Sequence, residues 1–213
     1  MQGLVSCIKS TPMSLLRWLD KIDKTIFILV HNDSDHASLD GTMLLLRNPV
    51  TWIPLYAFLL YYTIRKAGIQ AWKFIVLSIM SFAITDSVSA SVLKPLFARP
   101  RPCHDAILQP FLRNILECGG LYSFPSSHAA NHFGLAAFWY WALWIMTGKK
   151  WPVLWIWAAL ICYAQVYTGK HYPSDIAAGA VLGYTTGLLM AKIFEYLWNA
   201  RGKYEMGGLK PEV

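Results

Sequence analysis

The sequence predicts an all-α fold, a polytopic membrane helix bundle of five to six transmembrane helices with an N-terminal amphipathic helix. Three observations carry this expectation. The 213 residues are 55% hydrophobic and only 15% charged, where soluble domains run at about a quarter charged, and the mean hydropathy is +0.37. Long stretches without Asp, Glu, Lys or Arg recur along the chain, and an apolar stripe at helical spacing stands near its start. Disorder, a coiled coil and an ordinary cytosolic fold all fit this composition poorly. A chain of this length reads as a single domain, 1–213.

The elements follow in order. Over 14–30, Leu15, Leu16, Leu19, Ile22 and Ile26 recur at helical spacing, while Arg17, Asp20, Lys21, Asp23 and Lys24 fill the other face. That pattern predicts a helix lying in the membrane interface, with a sixth, charge-burdened span as the alternative. No apolar stretch with a small-residue cleavage site, as in a signal peptide, opens the chain. A bilayer core requires about 17–25 mostly apolar residues per helix. The charge-poor stretches then predict spans at 48–65, 73–94, 127–148, 151–169 and 175–197. Asp86 interrupts the second, and an intramembrane acid is a functional candidate by default. The surrounding Ser81, Thr85, Ser87, Ser89 and Ser91 favour a structural interhelix hydrogen bond instead. The Trp residues read as interfacial anchors and packing groups.

The excess of 19 Lys and Arg over 12 Asp and Glu would elsewhere suggest nucleic acid. No nucleic-acid partner is expected here, because bases flanking spans and bases binding an anion account for the charge. Alternating five spans puts Arg65, Lys66, Lys73, Lys149 and Lys150 on one side with few acids nearby, which the positive-inside tendency assigns to the cytoplasm. Lys94, Arg99, Arg101, Arg113 and Lys170, mixed with His and Asp, fall on the outer side.

Three distant segments end on that outer face. Lys94 and Arg101 are seven residues apart in a proline-rich run, roughly 20 Å if extended, so they share a ligand only if the chain folds back. Ser126 or Ser127 is a natural N-cap for the third span, and a helix N-terminus offers free N–H groups to an anion. His128 in that first turn is placed to donate a proton. Asp175, four residues after His171, suits a hydrogen bond that fixes the imidazole tautomer and frees the other nitrogen as nucleophile or base. Read singly, the same residues are equally span-flanking bases, a plain Ser cap and an interfacial His. Cys103 and Cys118 share the long outer loop, where a disulfide and two free thiols fit equally; Cys7 and Cys162 carry no signal.

Taken together, Lys94 with Arg101-Pro102, Pro125-Ser126-Ser127-His128, and His171 with Asp175 resemble the three signature segments of the type-2 phosphatidic acid phosphatase superfamily. The resemblance covers roughly residues 44–197. It implies an integral membrane lipid phosphate phosphatase that needs no metal or cofactor and works through a phosphohistidine. By carry-over His171 attacks phosphorus, Asp175 orients it, and His128 protonates the leaving oxygen. Lys94, Arg101, Ser126 and the Ser127 backbone N–H hold the phosphoryl oxygens. The implied substrate is a lipid phosphate or diphosphate in the bilayer: an isoprenoid diphosphate, phosphatidylglycerol phosphate, phosphatidic acid or a lipid A phosphate. The implied location is the plasma (inner) membrane, multi-pass, with the site facing the extracytoplasmic side.

Two positions depart from the family pattern. Ser127 stands where Gly is common, and Ala164-Gln165 stand where the family has Ser-Arg. Gln165 lacks the bidentate charge of a guanidinium, and Lys170 and Arg99 are the candidates to replace it at the phosphate. Three other readings remain: a lipid phosphotransferase using the same phosphohistidine, a non-catalytic lipid-binding member of the fold, and an intramembrane metallohydrolase built on His128, His132, His171 and Asp175. The last leaves Lys94 and Arg101 unexplained and has Ala129 where a His-Glu-x-x-His site needs Glu.

Overall fold

A computed structural model describes residues 15–32 and 37–207 of the chain; Cys7 and Ser14 lie outside the described residues. The described residues are mainly helical, with one isolated antiparallel bridge between Pro100 and Tyr122. In chain order the helices are α1 (Leu15–Asn32), α2 (Ala37–Arg47), α3 (Ile53–Ala67), α4 (Ala71–Ser87), α5 (Lys94–Phe97), α6 (Ser127–Thr147), α7 (Val153–Tyr167) and α8 (Pro173–Gly207). A long loop joins α5 to α6. Gly68, at φ 53°, breaks α3 from α4 in a backbone region that disfavours other residues. A π-helical turn, Val88–Leu93, joins α4 to α5. Such turns often mark functional positions, and this one immediately precedes Lys94.

Among the described residues, two helical runs are long and apolar enough to cross a membrane. Pro49–Phe97 has a hydropathy of 1.7 and Pro173–Ala200 of 1.4 in their most apolar windows, of which only 22% and 33% are buried. Their apolar groups therefore face outward, the reverse of a soluble core helix. Val153–Tyr167 is apolar but shorter.

The tightest seam joins α6 to α8. Gly179, Gly183 and Gly187 recur every fourth residue along one stripe of α8 and lie directly on the α6 backbone. A Cβ at each would overlap the carbonyl of Ser126, Ala130 or Gly134 respectively. This small-xxx-small spacing lets helices approach to backbone contact where no water drives association. It also brings the N-terminal ends of α6 and α8 together, with Ser126 N–H donating to the Asp175 carbonyl at 3.0 Å. Below that point Leu59, Phe74, Phe138, Trp139, Trp157 and Phe194 fill the core.

Asp86 bonds across helices: it accepts from Asn131 Nδ2 of α6 at 3.0 Å, and Asn131 Oδ1 accepts from Thr85 at 2.7 Å. This is the structural role its Ser/Thr-rich surroundings predict. Trp139 stacks on Trp157 at 5.5 Å and donates to Ser78, in keeping with packing.

Helix α1 turns its faces as follows. Leu15, Leu19, Ile22, Ile26 and Leu29 are exposed, while Asp23, Phe27 and His31 are buried against the rest of the chain. Lys24 pairs with Asp105 at 2.8 Å. His31 takes the Arg113 N–H on Nε2 at 2.9 Å and so donates from Nδ1 to the Tyr167 carbonyl at 2.7 Å. Helix α2, for which the sequence suggested no element, lies across the end of α7, with Met43 buried against Ala164 and Tyr167.

Candidate functional site

Each of the three segments reaches the same end of the bundle by a local device. Ala98, in the left-handed region at φ 46°, ends α5 and turns the chain back. The returning strand is held by Arg101 N–H to the Leu121 carbonyl at 3.1 Å and Ser123 N–H to the Arg99 carbonyl at 2.8 Å. The fold-back that Lys94 and Arg101 need to share a ligand is therefore present. Ser126 caps α6, its hydroxyl accepting from Ala129 N–H, and is fully buried. Its hydroxyl is engaged in the cap, whereas Ser127, which accepts from Ser89 at 2.9 Å, is half-buried at the helix mouth. Gly169, at φ 76°, closes α7 and turns Lys170 and His171 inward; a Cβ there would press on the His31 ring at 3.2 Å.

The pieces meet around His171, which is 2% exposed. Its Nδ1 lies 3.5 Å from Asp175 Oδ2, longer than a normal hydrogen bond but within ion-pair reach. Asp175 is fixed from the other side: Oδ2 accepts the Tyr172 N–H at 2.9 Å and Oδ1 accepts from Arg99 at 2.8 Å. The charges of Arg101 and Lys94 bear on His171, and those of Lys94 and His171 bear on His128. Burial holds the His171 imidazole below its ordinary range, with Asp175 opposing and Arg101 and Lys94 reinforcing. The ring is thus neutral and its Nε2 lone pair available near pH 7.

Arg99 differs from its expected place. Nη1 donates to Ser174 and Asp175, Nη2 donates to Asp23 of α1 at 2.6 Å, and the guanidinium covers the Tyr172 ring at 3.9 Å. Carboxylates hold both its ends behind Asp175, so Arg99 does not replace the missing guanidinium at the phosphate. Lys170 is buried, and Arg101 Nη1 approaches its carbonyl at 3.4 Å. Burial, with Arg47 and Arg101 close by and only Glu117 opposing, pushes its ammonium down to about 8. Gln165 is 1% exposed and its Nε2 has no partner.

Sequence reasoning missed Arg47, which closes α2 beside this cluster. The groups its charge reaches, Arg101, His128 and Lys170, all lie more than fifty residues along the chain, and a basic residue at a helix end carries no local signal. Cys103 and Cys118 form a disulfide with a Cα–Cα distance of 5.8 Å, resolving an expectation left open. His132 Nδ1 bonds the His128 carbonyl at 2.7 Å and its ring faces Trp157. Among the described residues, ligand atoms of three His, Cys, Asp or Glu residues converge only at Cys103, His104 and Cys118, two of which the disulfide joins. Among the described residues, no three of the four in the metallohydrolase reading bring their ligand atoms within 4.8 Å of one another.

Two cavities flank the site. A polar one of about 480 Å³ is bordered by Gln109, Arg113, Asn114, Glu117 and Lys170. An apolar one of about 400 Å³ runs between α3, α4 and α6, walled by Tyr56, Leu59, Phe74, Ile79 and Trp139, with Asn131 and His132 at one side. Lys94 and Arg101 bring positive charge to a buried imidazole–carboxylate pair, an arrangement suited to the phosphoryl transfer of a phosphatase.

The chain belongs to the PAP2 superfamily, whose family model matches residues 70–199. It is 34% identical to lipid A 4'-phosphatase of Bacteroides thetaiotaomicron over 82% of this chain and 78% of that protein. It is 30% identical to undecaprenyl-diphosphatase of Sulfolobus acidocaldarius, covering 76% of this chain and 74% of that one. In fold it is similar to the transmembrane PAP2-type phosphatidylglycerolphosphate phosphatase from Bacillus subtilis, with a TM-score of 0.66 at 18% identity, covering 84% and 87% of the two chains.

Proposed function

We propose that this protein removes the phosphate of a membrane lipid through a phosphohistidine on His171, and that its substrate is a phosphorylated glycolipid of the lipid A kind. The observation that carries the reading is the meeting of His171–Asp175, His128, Lys94 and Arg101 at one end of the bundle. His171 Nε2 bonds to phosphorus as the ester P–O bond breaks, and His128 passes a proton to the leaving oxygen. Water then attacks the phosphohistidine, giving its proton to His128 and releasing phosphate and free His171. Lys94, Arg101, Lys170 and the N–H groups at the start of α6 hold the phosphoryl oxygens throughout. Little covalent chemistry is asked of the protein beyond positioning and charge.

Substrate choice rests on the two cavities. The apolar one suits a lipid tail, and the polar one offers amide, guanidinium and carboxylate groups to a sugar headgroup. The B. thetaiotaomicron relative acts on lipid A. An isoprenoid diphosphate is the second reading, on the undecaprenyl-diphosphatase relative.

We read the chain as a single domain with five spans, α1 lying in the interface on its apolar face. The site faces the extracytoplasmic side of the inner membrane. The Cys103–Cys118 disulfide supports this face, since such bonds persist in oxidising compartments. Reduction, or Cys103→Ser, is expected to lower stability by about 2–4 kcal/mol, read as a fall in the midpoint of thermal unfolding.

Phosphate release from a panel of lipid mono- and diphosphates, with and without EDTA, tests the reading. Release that survives EDTA and is blocked by vanadate supports it. Sensitivity to EDTA without vanadate inhibition overturns the phosphohistidine route, and phosphate passed only to an acceptor lipid marks a transferase. A pH profile adds a sharper check. Lys170 carries its charge below about 8, so KM is expected to rise above that pH as the cation is lost. One charge-assisted contact corresponds to about 10–100-fold. Lys170→Arg, charged throughout, should flatten that rise.

A further inference from the structure

The third segment has no arginine at Gln165, and the two nearest substitutes are otherwise disposed. Arg99 is held by Asp23 and Asp175, and Lys170 is a point charge that loses its proton near pH 8. Arg101 gives the phosphoryl site one planar, permanently charged fork, and the second that the family pattern places at position 165 is missing.

Helix α2 supplies one. Met43 packs on Ala164 and Tyr167 at the end of α7, beside Gln165. Tyr167 Oη donates to Asp40 at 2.6 Å, holding α2 on α7 from the other end. Arg47 stands four residues after Met43, on the same face one turn on, and Trp52 Nε1 fixes that terminus by donating to the Leu46 carbonyl at 2.7 Å. Arg47 is half-buried, and its buried Nε has no partner, as is also true of Arg101 Nε and Gln165 Nε2. Arg47 lies close enough to Arg101, Lys170 and His128 for its charge to act on all three. A half-buried guanidinium within reach of other cations is costly unless an anion joins them.

We propose that Arg47, delivered from α2, is the phosphate-binding guanidinium that stands in for the arginine absent at Gln165. The inference rests on the phosphatase reading above and deepens it. Its fork would pair with two phosphoryl oxygens, an arrangement Lys170 cannot offer.

The test compares wild type, Arg47→Ala, Arg47→Lys and the double variant Arg47→Ala/Gln165→Arg, each solubilised in detergent. Two readouts are taken: kcat/KM for phosphate release from the best lipid substrate, and the rise in thermal midpoint on adding orthovanadate. Arg47→Ala is expected to lose about 100–1000-fold in kcat/KM, the size of one lost oxyanion donor, together with most of the vanadate shift. Arg47→Lys should recover only a small part. The double variant, which returns a guanidinium at position 165, should regain about tenfold or more over Arg47→Ala. A folded Arg47→Ala within about threefold of wild type, with an intact vanadate shift, overturns the assignment. If Arg47→Ala does not fold, Arg47→Gln, which keeps most of the length without the charge, is read by the same criteria. Failure of the phosphatase reading looks different: wild type itself then shows neither release nor a vanadate shift.

Discussion

Replacing His171 with alanine is expected to abolish phosphate release, a fall on the order of 10⁴–10⁶-fold, the scale at which removal of an enzymic nucleophile registers. Among the described residues, His171 is the histidine paired with a carboxylate. Its ring is buried, neutral near pH 7 and aligned by a carboxylate that Arg99 and the Tyr172 N–H hold in turn. His128→Ala should behave differently. Losing a general acid costs about 10²–10⁴-fold, and only where the leaving oxygen needs a proton. With p-nitrophenyl phosphate, whose leaving group departs as an anion, His128→Ala should still form a labelled phosphoenzyme, which then turns over slowly. His171→Ala should form none. More than a hundredth of wild-type turnover in His171→Ala would refute the nucleophile assignment.

The second large effect lies away from the chemistry. Gly183→Val is expected to yield no monodisperse protein after extraction. A Cβ at that position overlaps the Ala130 carbonyl and crowds the Gly134 N–H, both backbone atoms that cannot rotate away. Core overpacking usually costs about 1–3 kcal/mol because side chains yield; here the cost should exceed that range. Gly120, with open space where a Cβ would sit, provides the control: Gly120→Ala should stay within about 0.5 kcal/mol of wild type. Normal extraction and activity of Gly183→Val would show that α6 and α8 are not bound by backbone contact.

Local patterns were legible in the sequence, and partnerships across the chain were not. The helical character follows from composition and charge-free stretches. The three segments were readable because each is a short motif at a helix end, where capping and dipole rules apply. The triplet Gly179, Gly183 and Gly187 is equally visible in the sequence, but three glycines within an apolar stretch do not reveal which helix they face. Helix α2 holds Asp40 and Gly41 in eleven residues and shows no clean apolar period. The commitment of Arg99 depends on Asp23, 76 residues away, and no local rule predicts such a pair. The same holds for Arg47: its meaning comes from Met43 against Ala164, a contact visible only once the chain is folded.

The seam between α6 and α8 bears on how such an enzyme can be altered. Along it the two backbones meet with nothing larger than the Cβ atoms of Ala129 and Ala137 between them, so it offers almost nothing to vary. A library aimed at a new lipid therefore gains nothing from randomising that stripe and loses most of its members to misassembly. Diversity is better drawn from Gln109, Asn114 and Glu117 around the polar cavity and from Tyr56 and Ile79 beside the apolar one. Those positions border the two cavities while the glycine stripe holds the ends of α6 and α8 together, so the cavities can be reshaped without disturbing the seam.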